Sequence, residues 1–282
     1  MTDASSAIRR ISCHLDFEVA GDVALALQIA PASTAGDVLE ERLDVTIDGR
    51  ETHLPVTELA ADRAGRIHVL RAAAAGVLAV SYAATIRPVT IPVAPVATDD
   101  VVVDAEAIVA LRQSRYCPSE AMTGFAAVEL ADSRGPDLAR AAASWVFERL
   151  AYQPGWSGPF DTAVDTLLAG AGTCRDFVHL TISLCRALGV PARFVAVYAP
   201  GISPMDFHAV VEARRGSGWE VLDPTRLAPR STLVRIATGR DAADTAFATT
   251  LRGRAELTSY EISTVSDGDL PPDDHRTVTA LA

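Results

Sequence analysis

Residues 170–177 read Gly-Ala-Gly-Thr-Cys-Arg-Asp-Phe, a glycine-broken turn that leads into a long run with helical periodicity. The run predicts an amphipathic helix over about 173–188, with Gly189 at the position just after its end. Cys174 then falls in the first turn of that helix. The unpaired N–H groups of a helix N-terminus stabilise negative charge, so this position favours a thiolate over a thiol. The stretch therefore predicts a reactive cysteine at the start of a helix.

Two further residues follow Cys174 in an order that suits a catalytic triad. His208 opens a strand-like run over 208–213, and Asp223 closes the next such run, over 219–223, beyond a glycine-rich turn. A thiol, an imidazole and a carboxylate can serve as a nucleophile, its base and the group that orients the base. In a hairpin the last two would meet only with a bulge or a frayed end, because they lie at unequal distances from the turn.

The composition is that of a folded protein with an acidic surface. The chain has 282 residues, of which 49% are hydrophobic and 22% are charged, and a formal net charge of −11. These values predict one large domain or two ordinary ones and argue against disorder. The negative balance argues against a nucleic-acid partner and against binding to an anionic membrane.

The four cysteines and the termini bear on location. No pair of cysteines has the C-x-x-C spacing of a zinc knuckle or a thioredoxin motif, so we expect neither a metal nor a cofactor. The first residues lack the basic and apolar regions of a signal peptide, and no apolar window reaches the roughly 18 residues of a membrane span. We therefore expect a cytoplasmic protein with reduced thiols.

The chain contains no lysine and no asparagine. Catalysis by a lysine amine is therefore excluded. The residue that orients a catalytic histidine must then be an aspartate or a glutamate, since the amide of asparagine is not available.

The N-terminal third has the alternation of short β-strands. Such runs recur between residues 11 and 87, a tight turn is predicted at Asp48-Gly49, and three prolines follow within 87–95. This pattern predicts an antiparallel β-sandwich domain over 1–95 that ends in an extended linker.

From about residue 104 the periodicity becomes helical. Helices are predicted at 104–112 and 136–150, and Asp161 is placed as the N-cap of a short helix before Gly170. With the strands near His208 and Asp223, these elements predict a second domain over 96–265. Residues 266–282 are acidic and contain proline, and they are predicted to form a mobile tail.

Several motifs together resemble the transglutaminase-like superfamily of papain-like thiol enzymes, in a bacterial branch that has an N-terminal β-rich domain. The resemblance covers about 104–265 and lies in these stretches: 172–180, 185–193, Asp206-Phe207-His208-Ala209, Trp219 with 223–225, 114–118 and 239–244. It implies an α+β fold in which the nucleophile, at a helix N-terminus, packs on an antiparallel sheet.

The resemblance also implies a Cys174–His208–Asp223 triad that acts on a peptide or carboxamide substrate through a thioester. Water as the second acceptor would give hydrolysis, and an amine would give transamidation; the triad leaves both open. A catalytically silent domain that serves as a protein-interaction scaffold is the alternative function. The oligomeric state stays open.

The oxyanion hole is less well defined. One donor is expected to be the backbone N–H of Cys174. Papain-like enzymes add a glutamine six residues earlier, where this chain has Leu168, and transglutaminases use an indole N–H. Tyr116 and Trp156 are the candidates for the second donor, and the family motif around Tyr116 favours that residue.

Overall fold

The computed structural model describes residues 7–52, 54–89, 91, 104–133 and 135–282, with an α+β architecture as predicted. Its strands are β1 (Arg9–Val19), β2 (Val23–Leu27), β3 (Gly36–Ile47), β4 (Arg50–Glu51), β5 (Val56–Ala60), β6 (Arg66–Ala72), β7 (Gly76–Pro88), β8 (Ala151–Tyr152), β9 (Ala171–Gly172), β10 (Ala192–Tyr198), β11 (Phe207–Arg215), β12 (Gly218–Leu222), β13 (Val234–Gly239), β14 (Ala248–Arg252) and β15 (Ala255–Ser266). Its α-helices are α1 (Ala105–Leu111), α2 (Thr123–Glu129), α3 (Leu138–Arg149), α4 (Ala163–Ala169) and α5 (Cys174–Ala187).

Two antiparallel sheets form what we call the two-sheet unit. Their strand orders are β15-β1-β7-β3-β4 and β14-β2-β6-β5. Alternate residues of β1, from Ile11 to Val19, point into a core that the two sheets share, as the period of two along a strand requires. The turn predicted at Asp48-Gly49 joins β3 to β4, and both of its residues have positive φ.

The two-sheet unit takes strands from both ends of the chain, which differs from the predicted domain limits. β15 pairs with β1 along its whole length, and β14 pairs with β2. Residues 248–265, which the prediction assigned to the domain over 96–265, therefore belong to the two-sheet unit, together with Ser266 at the end of β15. Long-range pairing of this kind leaves no mark on local periodicity. The predicted boundary at residue 95 and the linker residues 92–95 lie outside the described residues.

A third sheet, with strand order β12-β11-β10-β13, supports α5. The sequence of α5 is amphipathic as predicted, but every residue from Asp176 to Arg186 is buried, so the fold encloses the polar face of the helix as well as its apolar face. Its polar side chains have internal partners. The hydroxyls of Thr181 and Ser183 donate to carbonyls four residues earlier, and the Arg186 guanidinium donates to three backbone carbonyls.

The ends of the helices test the predicted caps. α5 ends just before Gly189, which has φ +79°, in agreement with the predicted stop signal. The prediction for α4 is wrong by one residue. Thr162 is the N-cap and exchanges hydrogen bonds with Asp165, while the Asp161 carboxylate accepts the N–H of Gly158.

The tail packs on the third sheet, which differs from the mobile tail that was predicted. The buried Arg230 guanidinium makes two hydrogen bonds to Asp273, of 2.9 and 2.8 Å. The N–H of Val221 donates to the carbonyl of Thr279, and Leu281 is buried. One aspartate of this acidic tail thus pairs with a buried arginine. The local sequence does not reveal this pairing, because the two residues are far apart in the chain.

We expect Asp273→Ala to lower the free energy of unfolding by about 3 kcal/mol, because it removes the hydrogen-bonded carboxylate of the buried Arg230 guanidinium and leaves only the more exposed Asp274, 3.9 Å away. Chemical denaturation followed by circular dichroism measures the change. The matched control is Asp267→Ala, which removes an exposed ion pair with Arg10 and should cost less than about 1 kcal/mol. Equal and small effects of the two substitutions would contradict the packed tail.

Candidate active site

Cys174 is the first residue of α5, and the turn before it is held by a buried carboxylate. Asp176 accepts hydrogen bonds from the backbone N–H and the hydroxyl of Thr173, at 2.7 and 2.9 Å. A Cβ on Gly172 would lie 2.7 Å from the Cβ of Asp176, so this close approach requires glycine. Of the four cysteines, Cys174 is half-buried and the other three are buried.

Asp176 has enough partners to remain ionised inside the protein. Ser157 donates to it at 2.5 Å, and the Arg175 guanidinium lies 3.1 Å away. Burial alone would raise the pKa of Asp176, but the hydrogen bonds from Ser157 and Thr173 and the charge of Arg175 outweigh burial and lower it. A carboxylate in the first turn also suits the dipole of α5.

His208 and Asp223 meet at the end of a hairpin. A two-residue turn at 216–217 joins β11 to β12. The two strands pair without a bulge, and the pair farthest from the turn is Val211 with Leu222. Asp223 follows β12 directly, so of the two predicted geometries the frayed end is the one observed. His208 and Asp223 are diagonal neighbours on the same face of the hairpin, because each lies an odd number of residues beyond that last pair.

The contact between the two side chains is buried and charged. His208 Nε2 lies 3.1 Å from Asp223 Oδ2, and both side chains are at most 1% exposed. Asp223 Oδ1 accepts from the N–H and the hydroxyl of Thr225 at 2.9 and 2.7 Å. Because the ionised carboxylate of Asp223 can only accept hydrogen bonds, the Nε2 of His208 must be the donor in this contact. The other imidazole nitrogen, Nδ1, is then the one that can face Cys174.

Electrostatics favours an ion pair between His208 and Asp223. Burial lowers the pKa of His208, but the charge of Asp223 and hydrogen bonds to Asp223 and Cys174 outweigh it and raise the pKa to about 10. Burial would likewise raise the pKa of Asp223, but the charge of His208 and the hydrogen bonds from His208 and Thr225 hold it below its usual value. Cys174 is therefore near enough to the imidazole to affect its pKa.

Cys174 and His208 both line a cleft of about 380 Å³. Of the predicted oxyanion donors, Tyr116 lines this cleft, but its hydroxyl donates to the carbonyl of Pro159 at 3.1 Å and its ring stacks on His179. Trp156 is 60% exposed and does not line the cleft. The structure therefore brings Tyr116 to the cleft and leaves Trp156 outside it.

Tyr152 lies beside Cys174 and was missed from the sequence. β8 and β9 form a short parallel pair in which Tyr152 stands opposite Gly172. Burial and the charges of Cys174 and Asp206 raise the pKa of Tyr152, while the nearby backbone N–H of Cys174 acts the other way. A two-residue strand has no periodicity to detect, so only the fold reveals this hydroxyl.

Leu168, at the position where papain-like enzymes have glutamine, is 81% exposed on α4. Leu168 therefore lies on the surface and does not line the cleft. Among the described residues, no group of three or more His, Cys, Asp or Glu side chains is arranged to hold a metal ion. Within the same part of the chain, none of the helices has the length and apolar character needed to cross a membrane.

Comparisons with known proteins define the class. The sequence profile of the transglutaminase-like superfamily matches residues 125–224, which include Cys174, His208 and Asp223. A crystal structure from Cytophaga hutchinsonii, described as that of a proposed cysteine protease, is 31% identical, with a TM-score of 0.84 over 98% of this chain and 97% of that one. The chain therefore belongs to the transglutaminase-like superfamily.

Two other matches cover less of the chain or have a lower structural similarity. A protein from Mycobacterium leprae (strain TN), of uncharacterised function, is 31% identical over 150 residues, which are 48% of this chain and 52% of that protein. The chain thus spans about half the length of this curated relative. The periplasmic domain of TgpA from Pseudomonas aeruginosa is 19% identical over 79% of this chain and 88% of that one, with a TM-score of 0.38.

We expect the imidazole of His208 to titrate near pH 10 in the wild type and at lower pH in Asp223→Asn, because the substitution removes the charge that raises its pKa. NMR of the imidazole nitrogens in 15N-histidine-labelled protein measures both titrations, and His208→Gln assigns the signal by removing it.

The same shift predicts a pH dependence of stability. A raised pKa stabilises the folded state fully below the ordinary value of 6.5, and this contribution is lost as the pH rises to about 10. The unfolding free energy of the wild type should therefore exceed that of Asp223→Asn by more at pH 6 than at pH 10. A difference that does not vary with pH would contradict the buried ion pair.

Proposed function

We propose that this protein catalyses cysteine-dependent acyl transfer or hydrolysis on a peptide or carboxamide, with Cys174, His208 and Asp223 as its triad. The observation that carries the proposal is the environment of Cys174. It is a half-buried cysteine at a helix N-terminus, in a cleft that it shares with a histidine whose far nitrogen is held by a buried carboxylate.

In the first half of the reaction, the Cys174 thiolate attacks the substrate carbonyl carbon and forms a C–S bond. The carbonyl oxygen takes the negative charge of the tetrahedral intermediate. When this intermediate collapses, the C–N bond breaks and the leaving amine takes the proton from His208 Nδ1. Asp223 keeps the imidazole oriented through Nε2 during this step.

In the second half, neutral His208 takes a proton from the incoming acceptor as it attacks the thioester. Water yields an acid and an amine yields a new amide, and in both cases Cys174 is released. The description of the Cytophaga hutchinsonii relative as a proposed cysteine protease supports the hydrolytic route. Mass spectrometry of a peptide incubated with and without an added amine separates the two products.

The charge on the carbonyl oxygen needs two hydrogen-bond donors, and we assign them to the backbone N–H of Cys174 and the hydroxyl of Tyr152. Tyr152 pairs with Gly172, two residues before Cys174, and the backbone N–H of Cys174 affects the pKa of its hydroxyl, so an oxyanion bound to that N–H would lie near this hydroxyl. Tyr116 is less suited, because its hydroxyl already donates to Pro159.

We also predict that the substrate is a peptide or protein and that the protein is cytoplasmic. We predict that it binds neither nucleic acid nor a membrane, which its net charge of −11 supports.

We expect iodoacetamide to alkylate Cys174 well below about pH 8, and His208→Ala to abolish this reactivity, because the imidazolium stabilises the thiolate. Mass spectrometry of the protein after alkylation across pH measures the rate. Alkylation of the other three cysteines should be slow, because burial raises the pKa of Cys13, Cys117 and Cys185 to about 12.

Cys174→Ser is the control for that experiment, since it retains the three buried cysteines and should not be modified. If wild-type Cys174 reacted no faster than a free thiol, and His208→Ala changed nothing, the triad would be refuted and an inactive scaffold would be the better description.

We expect Tyr152→Phe to lower kcat by about 10²-fold with little change in KM, because a hydroxyl that binds the oxyanion acts mainly in the transition state. Steady-state kinetics on an activated ester or amide measures both constants. Tyr116→Phe is the matched control and should change kcat far less. If Tyr116→Phe lowered kcat more than Tyr152→Phe did, Tyr116 would be the oxyanion donor instead.

A further inference from the structure

The cleft that contains Cys174 lies where the two-sheet unit meets the third sheet. Gln28, just after β2, and residues 245–248, which lead into β14, form one side of it. Phe207 and His208 of β11 belong to the other side. The N–H of Gln28 donates to the carbonyl of Phe247 at 2.9 Å, so this side is held by a backbone contact.

The walls of the cleft are mainly apolar. Phe207 and Phe247 stack with their ring centroids 5.0 Å apart, and Phe194 and Ile236 also line the cleft. Alanines occupy further wall positions, among them Ala246 and Ala248. Their small side chains leave the space open, and both rings of the stacked pair are only partly buried. An apolar group entering this space would leave water for carbon surroundings.

The cleft has no spare charge for a charged ligand. Apart from His208 and Cys174, the ionisable side chains that line it are Tyr116 and Arg175. Arg175 lies 3.1 Å from Asp176 and donates to the carbonyl of Gly158 at 2.5 Å. A substrate carboxylate or ammonium placed here would lose its hydration, while the charge of Arg175 is already balanced by Asp176.

We propose that the cleft is an apolar subsite, and that the protein selects substrates with an uncharged aromatic or branched aliphatic group next to the scissile carbonyl. Phe207, Phe247 and Ile236 determine this specificity. The two-sheet unit is then part of the substrate site and not only a support. The proposal rests on the proposed function, because it assumes that Cys174 is the nucleophile.

The test uses iodoacetamide and two N-substituted forms of it, one with a benzyl group and one with a carboxyethyl group. Second-order rates of Cys174 alkylation are divided by the rates of the same reagents with free cysteine. We expect the wild type to favour the benzyl reagent over the carboxyethyl reagent by about 10-fold or more.

Ala246→Leu, which places a larger side chain in the cleft, should reduce that preference by about 10-fold. Ala243→Leu is the matched control: Ala243 is exposed, lies in the same segment and does not line the cleft, so its variant should keep the wild-type preference. Phe247→Ala provides a second test, because loss of the aromatic wall should also weaken the preference if Ala246→Leu fails to fold.

The outcomes distinguish the two proposals. If wild-type Cys174 is inert even to unsubstituted iodoacetamide, the proposed function itself fails. If it reacts with iodoacetamide but shows no benzyl preference over free cysteine, or if Ala243→Leu loses the preference as Ala246→Leu does, the apolar subsite is overturned while the nucleophile stands.

Discussion

The site depends on placing the N-terminus of a fully enclosed helix at the edge of a cleft. α5 is buried from Asp176 to Arg186, so the neighbouring helices and the third sheet fix its position on all sides. Asp176 accepts hydrogen bonds from Thr173 in the turn before the helix, and Cys174, which follows that turn, is half-buried.

The two-sheet unit and the third sheet are parts of one structure. β14 and β15 return to the two-sheet unit after the third sheet is complete, and residues of β10 and β13 pack in its core. The cleft forms along this junction, with walls from both parts. If Cys174 is the nucleophile that we propose, the other part supplies an apolar wall beside it, which offers a physical reason for the two parts to occur in a single chain.

Much of the fold was readable from local pattern. The strand and helix periods predicted the order of the units, and Gly189 marked the end of α5, because these signals depend on residues a few positions apart. What could not be read depends on distant partners. The pairing of β15 with β1, the Arg230–Asp273 contact and the position of Tyr152 beside Cys174 each join residues whose proximity only the fold creates. The hairpin placed His208 near Asp223, and the structure has this contact, while Cys174 lines the same cleft as His208.

The central claim is that Cys174 carries an acyl group. The most direct test is intact-mass spectrometry of the wild type during reaction with the p-nitrophenyl ester of an N-acylated phenylalanine. The account predicts a transient mass increase equal to the acyl group, located at Cys174, removed by hydroxylamine and absent in Cys174→Ala. A wild type that never acquires the acyl group, or an adduct that persists in Cys174→Ala, would contradict it.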